Sequence, residues 1–252
     1  TAVRTGNDVA NAVAVQADGK IVAAGYSTNA SNTRFALVRY NTNGTPDTSF
    51  DGDGLVTTQV FSTFDIGKAL AIQTDGKLVV AGYSNTGSDQ DFAVVRYNTD
   101  GSLDTTFDID GKVTTGILVG DQANAVAIQA DGKIVAAGYA NNGTTNQFAA
   151  ARYTTAGALD TSFDADGLQT TNINSVDDIA YSVAIQANDR IILAGQSYDG
   201  SKFNYALVRY RANGNLDTNY DGDGKVTTSV TTDDNIACGV AIQSDGMSVV
   251  AG

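Results

Sequence analysis

The sequence predicts an all-β fold assembled from repeats, and three observations carry that reading. Similar blocks return about every 57 residues, all 28 acidic residues are Asp with no Glu among them, and the apolar residues fall in short runs bounded by Gly, Asn and Asp. Self-similarity comes first, because a fixed period decides the architecture before local propensity does. The block from Ala14 to Gly25 returns from Ala71, Ala127, Ala184 and Ala241, at spacings of 57, 56, 57 and 57. Phe35 to Tyr40 returns at Phe92, Phe148 and Tyr205, and Asp47 to Gly54 returns from Asp104, Asp160 and Asp217. Absence of Glu removes a strong helix former, while Asp is a residue of turns.

Each unit reads as four strands, a to d. In the second unit, strand a runs from Ala69 to Gln73, b from Leu78 to Ser84, c from Phe92 to Asn98 and d from Lys112 to Thr115, all rich in Val, Ile, Thr, Tyr and Phe. Asp-Gly separates a from b at Asp18, Asp75, Asp131 and Asp245, and predicts a tight hairpin whose two central residues both take positive φ. Strand b carries Ala-Gly pairs at Gly25, Gly82, Gly138, Gly195 and Gly252, small residues suited to close packing where sheets converge. Four antiparallel strands per repeat predict a β-propeller of four full blades plus a partial fifth. A β-solenoid is the alternative, but its coils need only about 20 to 30 residues and run parallel. Residues 1–252 read as one repeat domain, with units near 9–65, 66–121, 122–178, 179–235 and a partial 236–252. That partial unit allows three explanations: a longer natural chain, four blades with an extra hairpin, or completion by a neighbouring chain pairing with the open sheet edge.

A net charge of −13 and a pI near 4.1 repel nucleic acid and anionic membranes. No apolar run approaches the roughly 20 residues that cross a bilayer, so membrane insertion is not expected. Cys238 is the one cysteine and His is absent, which excludes an intrachain disulfide and triads or metal sites built on His. Thr1 to Asp8 carries neither the basic nor the apolar part of a secretory leader, and the reading expects a secreted chain from which a leader has been removed.

Three sets of residues are candidates for chemistry. The Asp-x-Asp-Gly loops pair Asp51 with Asp53, Asp108 with Asp110, Asp164 with Asp166 and Asp221 with Asp223. Alternating carboxylates in a glycine-bounded loop suit Ca2+, the one cofactor suggested, and equally suit a turn that needs Asp and Gly for its backbone. Arg39, Arg96, Arg152 and Arg209 stand in the apolar strand c, and a buried Arg needs a partner, for which Asp47, Asp104, Asp160 and Asp217 are placed. Phe50, Phe107, Phe163 and Tyr220 read as aromatic plugs, and Tyr40, Tyr97, Tyr153 and Tyr210 as framework or sugar-binding surface. Strand alternation puts the a-to-b and c-to-d turns at one end of each sheet and the variable b-to-c and d-to-a loops at the other. Within the variable set, Tyr198, Lys202 and Phe203 are the candidate binding residues. Asp89, Asp91, Asp177, Asp178, Asp233 and Asp234 read there as acids without counterparts in other units.

The succession Ala-hydrophobic-Gln-x-Asp-Gly-Lys, Ala-Gly, Phe-x-hydrophobic-hydrophobic-Arg-Tyr and Leu-Asp-x-x-Phe resembles the delta-60 repeat over essentially the whole chain. That resemblance implies a bacterial secreted or surface propeller with no defined activity, and departs from it where Asp-x-Asp-Gly replaces the family's glycine-rich stretch. The expected function is a non-catalytic extracellular module for binding, adhesion or structural assembly at the cell surface. Its expected partners are a surface glycan or protein, or further copies polymerising through the open blade. The alternative is an Asp-dependent propeller glycosidase or lyase, which needs one unique carboxyl pair where these Asp residues recur in every unit.

Overall fold

Alternation of Val, Ile, Ala and Tyr with small or polar residues, broken by turns, yields strands throughout the computed structural model, which describes residues 1–61, 63–87, 89–174 and 176–252. Ser62, Ser88 and Ser175 of the variable loops lie outside the described residues. The first sheet holds β1 (Asp8–Val15), β2 (Ile21–Thr28), β3 (Thr33–Tyr40) and β4 (Leu55–Thr58). The second holds β5 (Asp65–Ile72), β6 (Leu78–Asn85), β7 (Gln90–Tyr97) and β8 (Lys112–Thr115). The third holds β9 (Gln122–Ile128), β10 (Ile134–Asn141), β11 (Asn146–Tyr153) and β12 (Leu168–Thr171). The fourth holds β13 (Asp178–Ile185), β14 (Ile191–Tyr198), β15 (Phe203–Tyr210) and β16 (Lys225–Thr228), and a hairpin follows from β17 (Gly239–Ile242) and β18 (Ser248–Ala251). Strands pair in chain order and antiparallel within every sheet, the blade pattern of a β-propeller. The chain divides into two compact units, Thr1–Gly116 with the first two sheets and Ile117–Gly252 with the rest.

Within each unit, neighbouring sheets stack face to face. Val22, Phe35 and Leu37 of the first sheet meet Leu78, Val80, Ala93 and Val95 of the second, with Leu70 and Ile72 packed against them. The same contact recurs between the third and fourth sheets through Val135, Phe148, Ala150, Leu193 and Val208. Tyr97 is fully buried and its hydroxyl donates to Thr58 Oγ1 of the preceding sheet at 2.8 Å; the hydroxyls of Tyr210 and Thr171 share a hydrogen bond at 2.7 Å. These tyrosines are therefore framework and present no sugar-binding surface.

Two local expectations are corrected. The a-to-b connection is a five-residue loop in which Gly19 N donates to Gln16 O and Gln16 N donates to Lys20 O, and only the glycine has positive φ. Asp18 instead accepts from Lys20 N at 3.1 Å, and Asp75 and Asp131 accept equally from Lys77 and Lys133. Asp serves here as a side-chain acceptor for its own turn, and Gly supplies the left-handed residue. In the fourth sheet, where Gly is missing, Asp189 takes φ 60° itself.

The second correction concerns the Ala-Gly pairs and the start of strand a. Strand a begins four residues before the expected Ala69, at Asp65, and carries a register shift between Gly67 and Ala69. Matching shifts fall at Ala10/Ala12 and Ala180/Ser182. The bulge drives a carbonyl of strand a against the glycine of strand b, so a Cβ at Gly82 would collide with Ile66 O, and one at Gly25 with Val9 O. Glycine is needed by its own sheet's bulge, a closer constraint than convergence of several sheets. The extra residues also work: Asn11 Nδ2 donates to Gly67 O at 2.7 Å, and Asn124 Nδ2 to Ala180 O at 2.9 Å, each in the following sheet.

Gly82→Ala is therefore expected to destabilise by about 3 kcal/mol, because backbone atoms must move. Gly239→Ala, whose added Cβ meets nothing within 4 Å, is expected to stay within about 0.5 kcal/mol. Urea denaturation of the two variants checks the contrast.

Candidate functional site

The turn end of each sheet is built around one buried carboxylate. Strand c delivers an Arg whose Nε meets the Asp eight residues on: Arg39 to Asp47 at 2.7 Å, Arg96 to Asp104 at 2.7 Å, Arg152 to Asp160 at 2.8 Å and Arg209 to Asp217 at 2.9 Å. The a-to-b turn adds a second cation, Lys20, Lys77, Lys133 or Arg190, at 2.7 to 3.3 Å from the same oxygen. In the first three sheets the outer guanidinium nitrogen donates to the hydroxyl of Ser49, Thr106 or Ser162. Below each Arg lies the ring of Phe50, Phe107, Phe163 or Tyr220, 4.3 to 4.7 Å from the guanidinium carbon. Arg39 and Arg152 also donate to carbonyls of the following sheet, Thr99 O and Ala212 O. The expected Arg–Asp pairs and aromatic plugs are thus one network that joins strand, turn and neighbouring sheet.

This network shifts the carboxyls. Burial by itself pushes Asp160 up, but the Ser162 hydroxyl and amide, Arg152 and Lys133 override it and hold the group at about 2. Asp104 is held well below the ordinary carboxylate range against the same burial, by Thr106, Lys77 and Arg96. On Asp47 the Lys20 contact is the leading influence, again downward.

The Asp-x-Asp-Gly residues lie on the following turn. Asp51, Asp108, Asp164 and Asp221 all take positive φ between 45° and 51°. The amides of Asp51 and Asp164 donate to Asp100 O and Asn213 O of the next sheet at 2.8 Å. Asp53, Asp110, Asp166 and Asp223 each accept, through Oδ1, the amide two residues on, at 2.8 to 3.0 Å. Each Asp thus has a turn role that requires no ion. Among the described residues no group of three or more Asp or Cys side chains is arranged to hold a metal.

At the loop end, Tyr198 and Phe203 stack with ring centres 5.1 Å apart at 57°. Lys202 Nζ donates to Ser229 Oγ and Thr231 O, so it clasps the d-to-a loop instead of standing free. Of the three candidate residues, Tyr198 and Phe203 meet each other, and Lys202 reaches the d-to-a loop.

A further set was not recognised in the sequence. Asp65, Asp121 and Asp178 are fully buried at the start of strand a. Their carboxylates accept amides of the d-to-a loop, from Val60 at 2.9 Å, Ile117 at 2.6 Å and Ile173 at 2.7 Å. Asp65 also accepts from Ser84 Oγ at 2.5 Å, as Asp8 does from Ser27 Oγ. Asn235 holds the same place in the last repeat, accepting from Thr231 N at 2.9 Å. Asp178 is thus corrected from an unmatched acid to a repeat residue, and the signal was available: Asp8, Asp65, Asp121 and Asp178 keep the period of the strands. Burial raises the Asp178 carboxyl, against the amides and Ser197 that lower it.

Comparison with known proteins follows the same lines. Residues 16–50, 73–107, 129–163 and 186–220 each match the family described as "Domain of unknown function (DUF5122) beta-propeller". A comparison with curated proteins finds no match. Similar solved structures include a gluconolactonase from Xanthomonas campestris, 13% identical over 77% of this chain and 57% of its own, with TM-score 0.40. A streptogramin B lyase is 11% identical over 95% and 74%, with TM-score 0.43, and an ulvan lyase of a new polysaccharide lyase family is 10% identical over 88% and 58%, with TM-score 0.46. The chain spans less than three fifths of the gluconolactonase and of the ulvan lyase. These matches correct the expectation that the chain is not an enzyme, since structures similar to it are propeller enzymes. At TM-scores below 0.5 their likeness assigns this chain no reaction.

Asp104→Ala leaves the Arg96 guanidinium buried without its carboxylate and is expected to cost about 3–5 kcal/mol, whereas Asp53→Ala removes one exposed turn bond worth about 1 kcal/mol. Because these buried carboxyls are depressed in the folded state, their contribution is present above the unfolded value near pH 4 and is lost as pH falls through the folded values. Melting temperature is expected to drop from about pH 5 toward pH 2, with a shallower slope in Asp160→Asn, as calorimetry across pH will measure.

Proposed function

Because the chain belongs to the DUF5122 β-propeller family, we propose that it is an extracellular repeat scaffold whose variable loops recognise a glycan or protein at the cell surface. The delta-60 motif is the finer reading within that family, and it supports a secreted bacterial setting. One observation carries the proposal, the contrast between the two ends of each sheet. The turn end repeats the same Arg–Asp–Phe/Tyr network in sheet after sheet, while the loop end varies in sequence yet is anchored at its base by Asp65, Asp121 and Asp178. Variable tips on fixed roots are how a scaffold carries recognition, since the backbone cost of ordering the loop is met in the fold and not at binding. A composition rich in Thr, Asn and Gly with few cations agrees with exposure outside the cell.

A loop exchange tests this reading. Asp199 and Asn142 open the same four-residue turn, with Asp199 N donating to Lys202 O and Asn142 N to Thr145 O, both at 3.0 Å. Replacing residues 199–202 by the sequence of 142–145 is therefore expected to shift the melting temperature by no more than about 2 °C. It is also expected to abolish capture of the glycan or envelope protein that the wild type selects on an array. Unchanged capture by the exchanged protein, or its exclusive recovery from the cytosol of the source cell, overturns the proposal.

A further inference from the structure

Within each compact unit a cleft opens at the turn end between two neighbouring sheets. Between the first and second sheets it encloses about 410 Å³ and is lined by Gln16, Asp18, Lys20, Arg39, Thr74 and Thr99. Between the third and fourth it encloses about 290 Å³ and is lined by Gln129, Asp131, Lys133, Arg152 and Ala212. Equivalent positions build both, so each cleft is the control for the other. They differ in two hydroxyls, since Ala187 and Ala212 stand where the first cleft has Thr74 and Thr99.

The second cleft spends its polar groups internally. Gln129 Oε1 accepts from Arg152 Nη1 at 3.5 Å, and Asp131 pairs with Lys133 at 3.1 Å. In the first cleft the same groups stay open. Gln16 Oε1 is buried in the wall and accepts no hydrogen bond among the described residues. Lys20 turns to Asp47 at 2.8 Å, which leaves Asp18 without an ion pair and with one oxygen accepting the Lys20 amide. The hydroxyls of Thr74 and Thr99 make no hydrogen bond among the described residues. Arg39 is fully engaged, with Asp47, Ser49 and the Thr99 carbonyl, and contributes a surface without free donors. Asp18 and Asp47 balance Lys20 and Arg39, so the cleft carries no net charge. All of these residues lie within Thr1–Gly116.

We propose that the cleft between the first and second sheets binds a single neutral sugar residue. A sugar presents several hydroxyls, each both donor and acceptor, and the open groups of the cleft are the matching set: one amide, one carboxylate oxygen and two hydroxyls. Ala17 and Ile72 add an apolar wall for the carbon face of the ring. The volume falls in the range of small-molecule sites, about 300–1,000 Å³, and a buried carbonyl without a partner is one that a ligand hydroxyl satisfies at a gain. Charged ligands are disfavoured in both senses, an anion by Asp18 and a cation by Lys20. The cleft lies at the opposite end of the sheets from the variable loops and is independent of the recognition proposed there.

Residues that the repeat itself uses test the site without threatening the fold. Titration with glucose, galactose, mannose and N-acetylglucosamine, followed by calorimetry and by the Gln16 side-chain amide resonance in heteronuclear NMR, is expected to show one saturable site for at least one of them. Its affinity is expected on the order of 1 mM. Thr74→Ala with Thr99→Ala, the residues of the second cleft, is expected to weaken that binding about tenfold while the melting temperature shifts by no more than about 2 °C. Should the double variant unfold, Thr74→Ala alone decides, by a smaller factor in the same direction. Exchange of the loop at 199–202 is expected to leave sugar binding at the cleft intact, which separates this site from the loop recognition. Absence of saturable binding to all four sugars, equal binding by wild type and variant, glucuronate or glucosamine bound as tightly as the neutral sugar, or loss of sugar binding in the loop-exchanged protein overturns the proposal.

Discussion

The buried Arg–Asp pair of each sheet is the interaction on which the remaining structure leans. A guanidinium inside an apolar strand is tolerable only when its charge and donors are met, and that demand organises everything nearby. Asp104 is brought beneath strand β7 by the turn, Lys77 comes in from the hairpin, Thr106 caps the outer nitrogen and Phe107 closes the face. In the first sheet the same Arg reaches the carbonyl of Thr99, so the pair that shapes one sheet also sets its distance from the next. Between these anchors the apolar stacking of Val22, Leu37, Val80 and Val95 supplies the bulk of burial without itself specifying register.

A second constraint runs along strand a. Its bulge presses a carbonyl onto the glycine of strand b and frees an Asn or another side chain toward the following sheet. Buried Asp residues at the start of the same strand gather the amides of the d-to-a loop. Bulge and anchor together let the loop vary in sequence without loosening its root, which is why the two ends of a sheet can serve different purposes.

Much of this was legible residue by residue. Arg96 and Asp104 recur with the period and carry opposite charge, so their pairing could be read before any geometry. Asp178 reads as an unmatched acid because it adjoins Asp177, which belongs to a loop that changes between units, although Asp178 itself opens strand β13. The Asp-Gly hairpin was read as a two-residue turn because the dipeptide is shared by two turn types, and the choice between them depends on Gln16 and Lys20 pairing outside it. Lys202, a candidate binding residue in the sequence, is engaged by Ser229 and Thr231, residues nearly thirty positions away.

By itself the sequence determined the repeat, the order of strands and the partner of each buried Arg, because all of these are written within one period as hydrophobic alternation, Gly and Asp placement and complementary charge. Only the tertiary structure decided which residues of different repeats meet: Asp51 with Asp100, and Asn11 with Gly67. Such meetings depend on how one sheet's face settles on the next and how its turns project past the strands. No local pattern encodes that, since the physical determinants are packing distances between elements and not the propensities of the residues within them.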